Sequence, residues 1–127
     1  MEVFIIKIKV KGNLKNLTEN EKELINTKGI KNNNIISYIH NKTKYKLITN
    51  IDSIKLIREN EEIYHEILFK EHDTCKTTYY LKQLNSSLQI NIETQKLTIS
   101  ENKINIVYKN KENQNIYQYV LDVSDNL

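Results

Sequence analysis

Hydrophobic and polar residues alternate along most of the chain, and most regularly in its last forty residues. The apolar members of four successive runs there are Leu88, Ile90, Ile92; Leu97, Ile99; Ile104, Ile106, Tyr108; and Tyr117, Tyr119, Leu121, Val123. A period of two indicates a strand with one buried face and one solvated face. Four such runs at short spacing predict an antiparallel sheet that folds back on itself as a meander or a barrel.

Similar alternation earlier in the chain predicts six or seven further strands. They are expected near residues 2–10, 23–28, 35–40, 45–49, 54–58, 63–70 and 74–81, with Asn-rich turns between several of them. Residues 18–25 could instead contain one short helical turn, because Thr18 and Glu21 have capping spacing. Residues 63–70 also fit a helix, but the hairpin signals on both sides favour a strand. Sheets of ten or eleven strands usually close into a barrel or split into a sandwich.

The composition indicates one soluble domain that spans residues 1–127. The hydrophobic fraction is 39%, and it is concentrated at periodic positions, which distinguishes the chain from a disordered one. Lys7 and Lys9 interrupt the first apolar run, so we do not expect a signal peptide, and no run is long enough for a membrane helix. The single cysteine, Cys75, excludes an internal disulfide and favours a reducing, cytoplasmic location. The chain could be a monomer or a homodimer, and we expect no membrane partner.

Charge is distributed unevenly between the two parts of the chain. The first fifty residues carry ten Lys against four Glu, whereas the remainder carries eight Lys and one Arg against twelve acidic groups. A basic half could attract nucleic acid. Lys is abundant throughout, however, and one Arg offers little bidentate contact to phosphates or bases. Lysines that cover the wet faces of strands are therefore the preferred interpretation.

Two polar residues occur on predicted apolar faces. Arg58 alternates in phase with Ile54 and Leu56, so an inward position would make it a partly buried cation that needs an anion. Surface pairing with Glu59, Glu61 or Glu62, the acidic residues nearest in sequence, is the preferred interpretation. His65 lies in phase with hydrophobic neighbours and is expected to be a neutral, hydrogen-bonded core histidine.

No catalytic or metal-binding constellation is visible. The three histidines are scattered, there is no Cys-x-x-Cys pair, and a phosphate-binding loop is excluded because the only glycines are Gly12 and Gly29. Cys75 has no activating context and is expected to behave as a small hydrophobe. The eight tyrosines could pack in the core, or hold a ligand at a barrel mouth, or stack on bases. We therefore predict no cofactor, no metal and no enzymatic activity.

Several short motifs, taken in order, resemble the small bacterial YwiB-like family. They are Ile36-Ser37-Tyr38, Asp52 to Arg58, Phe69, Thr77-Thr78-Tyr79-Tyr80, Leu88, Thr94-Gln95-Lys96-Leu97 and Ile104 to Tyr108. The resemblance covers nearly the whole chain and implies a domain of unknown function with a calycin-like, that is lipocalin-like, β-barrel. The chain departs from the family where Glu59-Asn60 and Gln83-Leu84-Asn85 replace glycine-containing turns. Asn tolerates the left-handed conformation, so we expect Asn60 and Asn85 to preserve these turns.

The sequence thus predicts an all-β, single antiparallel calycin-like barrel without enzymatic activity. We expect a small apolar or amphipathic ligand inside the barrel, held by the inward residues Tyr38, Arg58 and Tyr80 together with His65. The alternative is an RNA- or nucleic-acid-associated module that uses the basic N-terminal half. An interior filled by side chains would contradict the first hypothesis, because small barrels often have no room for a ligand.

Overall fold

The computed structural model describes residues 5–125, which form ten β-strands and no helix. The strands are β1 (Ile5–Asn16), β2 (Glu21–Asn32), β3 (Ile35–His40), β4 (Thr43–Thr49), β5 (Ser53–Glu59), β6 (Ile63–Lys70), β7 (Thr74–Leu81), β8 (Ser86–Ile99), β9 (Lys103–Asn110) and β10 (Ile116–Asp125). Residues 2–4 of the first predicted strand lie outside the described residues. The remaining predicted strands are present, except that Leu88 to Ile92 and Leu97 to Ile99 belong to one long strand, β8.

The ten strands form one closed antiparallel barrel. Each strand pairs with the next along the chain, and β1 also pairs with β10, where Ile8 to Asn16 lie opposite Tyr117 to Asp125. A bulge between Thr94 and Lys96 shifts the register of β8 against β9, so that Thr94 and Leu97 both face the interior. The predicted all-β barrel is confirmed.

The helical turn considered for residues 18–25 is not formed. Residues 17–20 make a turn, and β2 begins at Glu21 and continues to Asn32, well beyond the predicted strand at 23–28. All twelve residues of β2 lie opposite residues of β1. This long pairing overrides the weak helical preference of the segment, because strand formation depends on cross-strand neighbours more than on local propensity.

The barrel interior divides into an aliphatic half and a polar, aromatic half. The aliphatic half lies towards the turns at 33–34, 50–52 and 100–102, and its buried side chains include Val10, Leu47, Ile54, Phe69, Ile104 and Leu121. The opposite end contains the turns at 17–20, 41–42, 60–62, 82–85 and 111–115, and we call it the aromatic end. Inward residues of the strands at this end are mainly Tyr, His, Arg and Glu.

Backbone pairing between β2 and β3 is short. Only Gly29 to Asn32 of β2 lie opposite Ile35 to Tyr38 of β3, so the two strands are not paired from there to the aromatic end. Gly29 occupies the last pair, where a Cβ atom would overlap the carbonyl oxygen of Ser37. The barrel wall therefore has a gap between β2 and β3 beside the aromatic end.

Asparagine replaces glycine in several turns. Asn20, Asn33, Asn41 and Asn85 have positive φ angles, so the expectation for Asn85 is confirmed. The expectation of a left-handed Asn60 is wrong. The side-chain oxygen of Asn60 instead accepts hydrogen bonds from the backbone N–H groups of Glu62 and Ile63 and closes the turn in that way.

Candidate functional site

Six of the eight tyrosines occupy inward-facing strand positions at the aromatic end. They are Tyr38, Tyr45, Tyr79, Tyr108, Tyr117 and Tyr119. Because directly opposed residues of an antiparallel pair share a face, the pairs Tyr38–Tyr45 and Tyr108–Tyr117 point in the same direction and stack, with ring centroids 4.8 Å and 5.3 Å apart. The rings fill most of this end of the barrel.

The buried tyrosine hydroxyls remain protonated at neutral pH. The hydroxyls of Tyr38 and Tyr119 hydrogen-bond to each other across the interior. Burial raises the pKa of Tyr119 well above its ordinary value and raises the pKa of Tyr108 to about 12. These groups can therefore donate hydrogen bonds to an anion without carrying charge themselves.

Arg58, His65 and Thr77 form a hydrogen-bonded chain across β5, β6 and β7. Arg58 Nη2 lies 3.0 Å from His65 Nδ1, and His65 Nε2 lies 3.2 Å from Thr77 Oγ1. Thr77 in turn donates to the carbonyl oxygen of Ile90. Burial, and then the nearby guanidinium charge, lower the pKa of His65 to about 4. His65 is thus a neutral core histidine, as predicted, with Nδ1 accepting from Arg58.

Arg58 is half-buried and has no carboxylate partner among residues 5–125. Its Nε atom is buried and makes no hydrogen bond within that range. The preferred sequence interpretation, surface pairing with a neighbouring glutamate, is therefore wrong. Glu59 faces outward and pairs with Lys82 at 2.7 Å, because adjacent residues of a strand point to opposite faces.

Tyr80 lies on the outer face of the barrel. Its hydroxyl donates to the side chain of Asn85 in the next turn, and its cross-strand neighbour is Tyr64. Thr77 and Tyr79 are the inward residues of this part of β7. The expected inward position of Tyr80 is therefore wrong, whereas Tyr38, Arg58 and His65 do share the interior.

The enclosed space at the aromatic end is small. A cavity of about 20 Å³ is lined by residues that include Glu23, His40, Tyr45, Arg58, Tyr108 and Tyr119. One water molecule needs roughly 10–15 Å³ of such free volume, so the cavity accommodates only one or two small groups. A ligand-sized cavity inside the barrel, which the sequence analysis expected, is not formed by the described residues.

A larger hollow of about 450 Å³ lies on the outer wall of β2 to β5, and we call it the isoleucine groove. It is bordered by Ile30, Ile39 and Ile57 and by the three lysines Lys28, Lys44 and Lys46. Tyr45 lines both the isoleucine groove and the small interior cavity. A second open hollow, of about 330 Å³, lies at the barrel end and is bordered by Glu19, Glu21 and Glu23 with Lys22.

The basic residues of the N-terminal half gather on one outer face. Strand parity directs Lys7, Lys9, Lys11, Lys15, Lys22, Lys28, Lys44 and Lys46 outward on β1, β2 and β4. The only arginine does not contribute to this face, and of the six inward tyrosines only Tyr38 and Tyr45 border it, where they line the isoleucine groove. It therefore offers positive charge with few of the exposed aromatic rings on which bases stack.

Residues 5–125 contain no group of three His, Cys, Asp or Glu residues arranged to hold a metal ion. Within the same range there is no helix that could cross a membrane.

Neither a protein-family model nor a curated protein matches this chain. Among solved structures, the chain is similar to the crystal structure of the ywiB protein from Bacillus subtilis, with a TM-score of 0.74 and 15% sequence identity. The similarity covers 98% of this chain and 94% of that protein. At this level of identity the likeness establishes the fold alone. The YwiB-like barrel that the order of motifs suggested is therefore confirmed as a fold.

Proposed function

We propose that this protein is a non-enzymatic, calycin-like binding barrel that holds the anionic head group of a small amphipathic ligand at Arg58. The observation that carries the proposal is the environment of this guanidinium. It is half-buried inside the aromatic end, it has no carboxylate partner in residues 5–125, and its Nε–H is unused. A buried cation without a counter-ion is costly, so an anionic ligand would gain from supplying one.

The groups around Arg58 suit a carboxylate or a similar planar anion. Arginine presents N–H donors in a fixed fork that matches a carboxylate with two parallel hydrogen bonds. Tyr45 lies directly opposite Arg58 in the β4–β5 pair, and Tyr108 and Tyr119 line the same cavity. Their neutral hydroxyls add donors, while their rings offer apolar contact.

Cavity size limits what enters the barrel. About 20 Å³ accepts a head group of a few atoms but not an apolar chain. We therefore propose that only the head group is enclosed and that the apolar part lies outside the wall. This differs from a barrel that encloses a whole ligand.

Decanoate and 1-decanol, which share a chain and differ in head group, test the proposal. Isothermal titration should show that the protein binds decanoate more tightly than decanol. We expect Arg58→Gln to weaken decanoate binding by about 10- to 100-fold, because a charged hydrogen bond contributes about 1.5–3 kcal/mol. Arg58→Lys should recover only part of the loss, because Lys lacks the fork.

Tyr80→Phe is the matched control, because it removes a hydroxyl on the outer face of the same barrel end. It should bind decanoate as the wild type does. Equal decanoate affinity in the wild type and in Arg58→Gln, with both folded by circular dichroism, would refute the proposal.

The nucleic-acid alternative rests on charge alone. The eight outward lysines support it, but their face lacks arginine, its tyrosines Tyr38 and Tyr45 are inward-facing, and it exposes Ile30 and Ile39. We therefore favour the small ligand. We also propose a cytoplasmic setting, for which the support is the single, half-buried Cys75.

A further inference from the structure

The gap between β2 and β3 is bridged by side chains instead of a backbone ladder. Thr27 Oγ1 donates to the carbonyl oxygen of Ile39 at 3.2 Å. Nearer the aromatic end, Glu23 Oε1 lies 2.8 Å from His40 Nε2 and accepts from Asn41 Nδ2 at 2.8 Å. Exposed side-chain contacts of this kind contribute less than a continuous ladder, so this stretch of wall opens more readily than its neighbours.

The isoleucine groove and the small cavity lie on the two sides of this gap. Outside, the groove is bordered by Lys28 of β2 and by Ile39 of β3. Inside, the cavity is lined by Glu23 of β2, His40 of β3 and Arg58. Tyr45 borders both spaces. One layer of side chains therefore separates an open apolar groove from the unpaired guanidinium.

Charge also distinguishes the groove from the open end of the barrel. Lys28, Lys44 and Lys46 form no ion pair with residues 5–125, and the one carboxylate at the groove, Glu59, is neutralised by Lys82. The hollow at the barrel end instead carries three glutamates and one lysine. An anion is attracted to the groove and repelled from the end.

From this arrangement we infer that the gap between β2 and β3 is the entrance for the ligand, and that the isoleucine groove holds its apolar chain. This inference rests on the proposed function and specifies the ligand as an anion with an extended hydrocarbon chain. The head group passes the bridge formed by Thr27, Glu23 and His40 and reaches Arg58. The chain remains along Ile30, Ile39 and Ile57, in a volume of about 450 Å³ that is within the usual range of roughly 300–1,000 Å³ for ligand sites.

An undecanoate that carries a dansyl group at its far end is the appropriate probe. The dansyl fluorescence should rise on binding, because the chain end lies against apolar side chains. In stopped-flow mixing, the double variant Lys44→Gln/Lys46→Gln should associate several-fold more slowly than the wild type and show a weaker dependence of the rate on salt. Ile39→Asn, at a side chain that is 57% exposed, should lower the affinity several-fold without unfolding the protein.

Lys103→Gln/Lys109→Gln is the matched control, because it removes the same charge from outward positions of β9, outside the groove. This variant should keep the wild-type rate and affinity. If Arg58→Gln weakens binding while the groove variants behave as the wild type, the entrance is refuted and the proposed function stands. If the groove variants weaken binding while Arg58→Gln does not, the ligand stays outside the barrel and both proposals fail.

Discussion

Arg58 and His65 lie opposite each other on β5 and β6, and their pairing fixes the state of both side chains. The arginine remains charged, so the histidine must be neutral to accept its hydrogen bond. Thr77 holds the other ring nitrogen and leaves His65 Nδ1 available as the acceptor. The hydrogen-bonded chain therefore directs a positive charge towards the aromatic end and keeps the adjacent histidine from adding a second one.

The hydrogen bonds of His65 with Arg58 and Thr77 predict how the free energy of unfolding depends on pH. The pKa of His65 is about 4 in the folded protein and 6.5 in an unfolded chain, so the unfolded state takes up the proton first. The stabilisation is fully present above pH 6.5 and is lost as the pH falls towards 4. Between these limits, the free energy of unfolding should fall by about 2–3 kcal/mol more in the wild type than in His65→Gln.

Urea unfolding of both proteins at several pH values measures this difference. Carboxylates titrate in the same range, but they contribute equally to both proteins and cancel in the comparison. Parallel curves for the wild type and the variant would show that His65 is not a buried neutral base.

The sequence predicts the buried, neutral state of His65 correctly, but its preferred interpretation of Arg58, an ion pair at the surface, is wrong. The alternation Ile54, Leu56, Arg58 already put the arginine on the inward face. Surface pairing is nevertheless the preferred sequence interpretation, because a buried cation needs an anion and the nearby sequence supplies none on the inward face. The tyrosines that surround Arg58 come from strands far apart in the chain, so local patterns could not reveal them. The outward position of Tyr80 could have been predicted, because the alternation that puts Thr77 and Tyr79 on one face of the strand puts Tyr80 on the other.

At the scale of single elements, β1 depends on a close approach that only glycine allows. Gly12 lies opposite Leu121 of β10, and a Cβ atom at this position would overlap the carbonyl oxygen of Val120. The overlapping atom belongs to the backbone and cannot rotate away. The pairing that closes the barrel is therefore tight at Gly12.

We expect Gly12→Ala to lower the free energy of unfolding by about 1–3 kcal/mol, the usual cost of forcing an extra carbon into a packed site. Lys9→Ala, on the exposed face of the same strand, should change stability by less than about 0.5 kcal/mol. Urea unfolding curves of the two variants provide the comparison. A Gly12→Ala protein as stable as Lys9→Ala would contradict the close approach.

Strand prediction succeeded where the hydrophobic period was strong and failed at the ends. The alternation from Ile63 to Lys70 correctly predicts a strand, β6, despite the helical propensity of the same segment. β2 is longer than predicted because pairing with β1 extends it by Glu21 and Lys22 at its start and by Gly29 to Asn32 at its end, a contact that single-strand patterns do not contain. The gap between β2 and β3 is invisible in the sequence for the same reason.

At the scale of the whole molecule, closure of the barrel brings the inward polar and aromatic side chains together at one end. The number of strands was predictable from the repeated alternation, and so was a closed sheet. The free volume inside was not, because it depends on how large rings from distant strands interdigitate. Six tyrosines fill the aromatic end and leave about 20 Å³ beside Arg58. A ligand that uses this charge must therefore remain largely outside the wall.

The central claim is that an anionic head group binds Arg58, and the single arginine of the chain makes this directly observable. In a nitrogen-15-labelled sample, the Nε–H group of Arg58 gives one arginine side-chain cross-peak that needs no assignment. Titration with decanoate should shift this peak in a saturable manner, whereas 1-decanol should leave it in place. A peak that does not move while decanoate saturates backbone amides elsewhere would contradict the account.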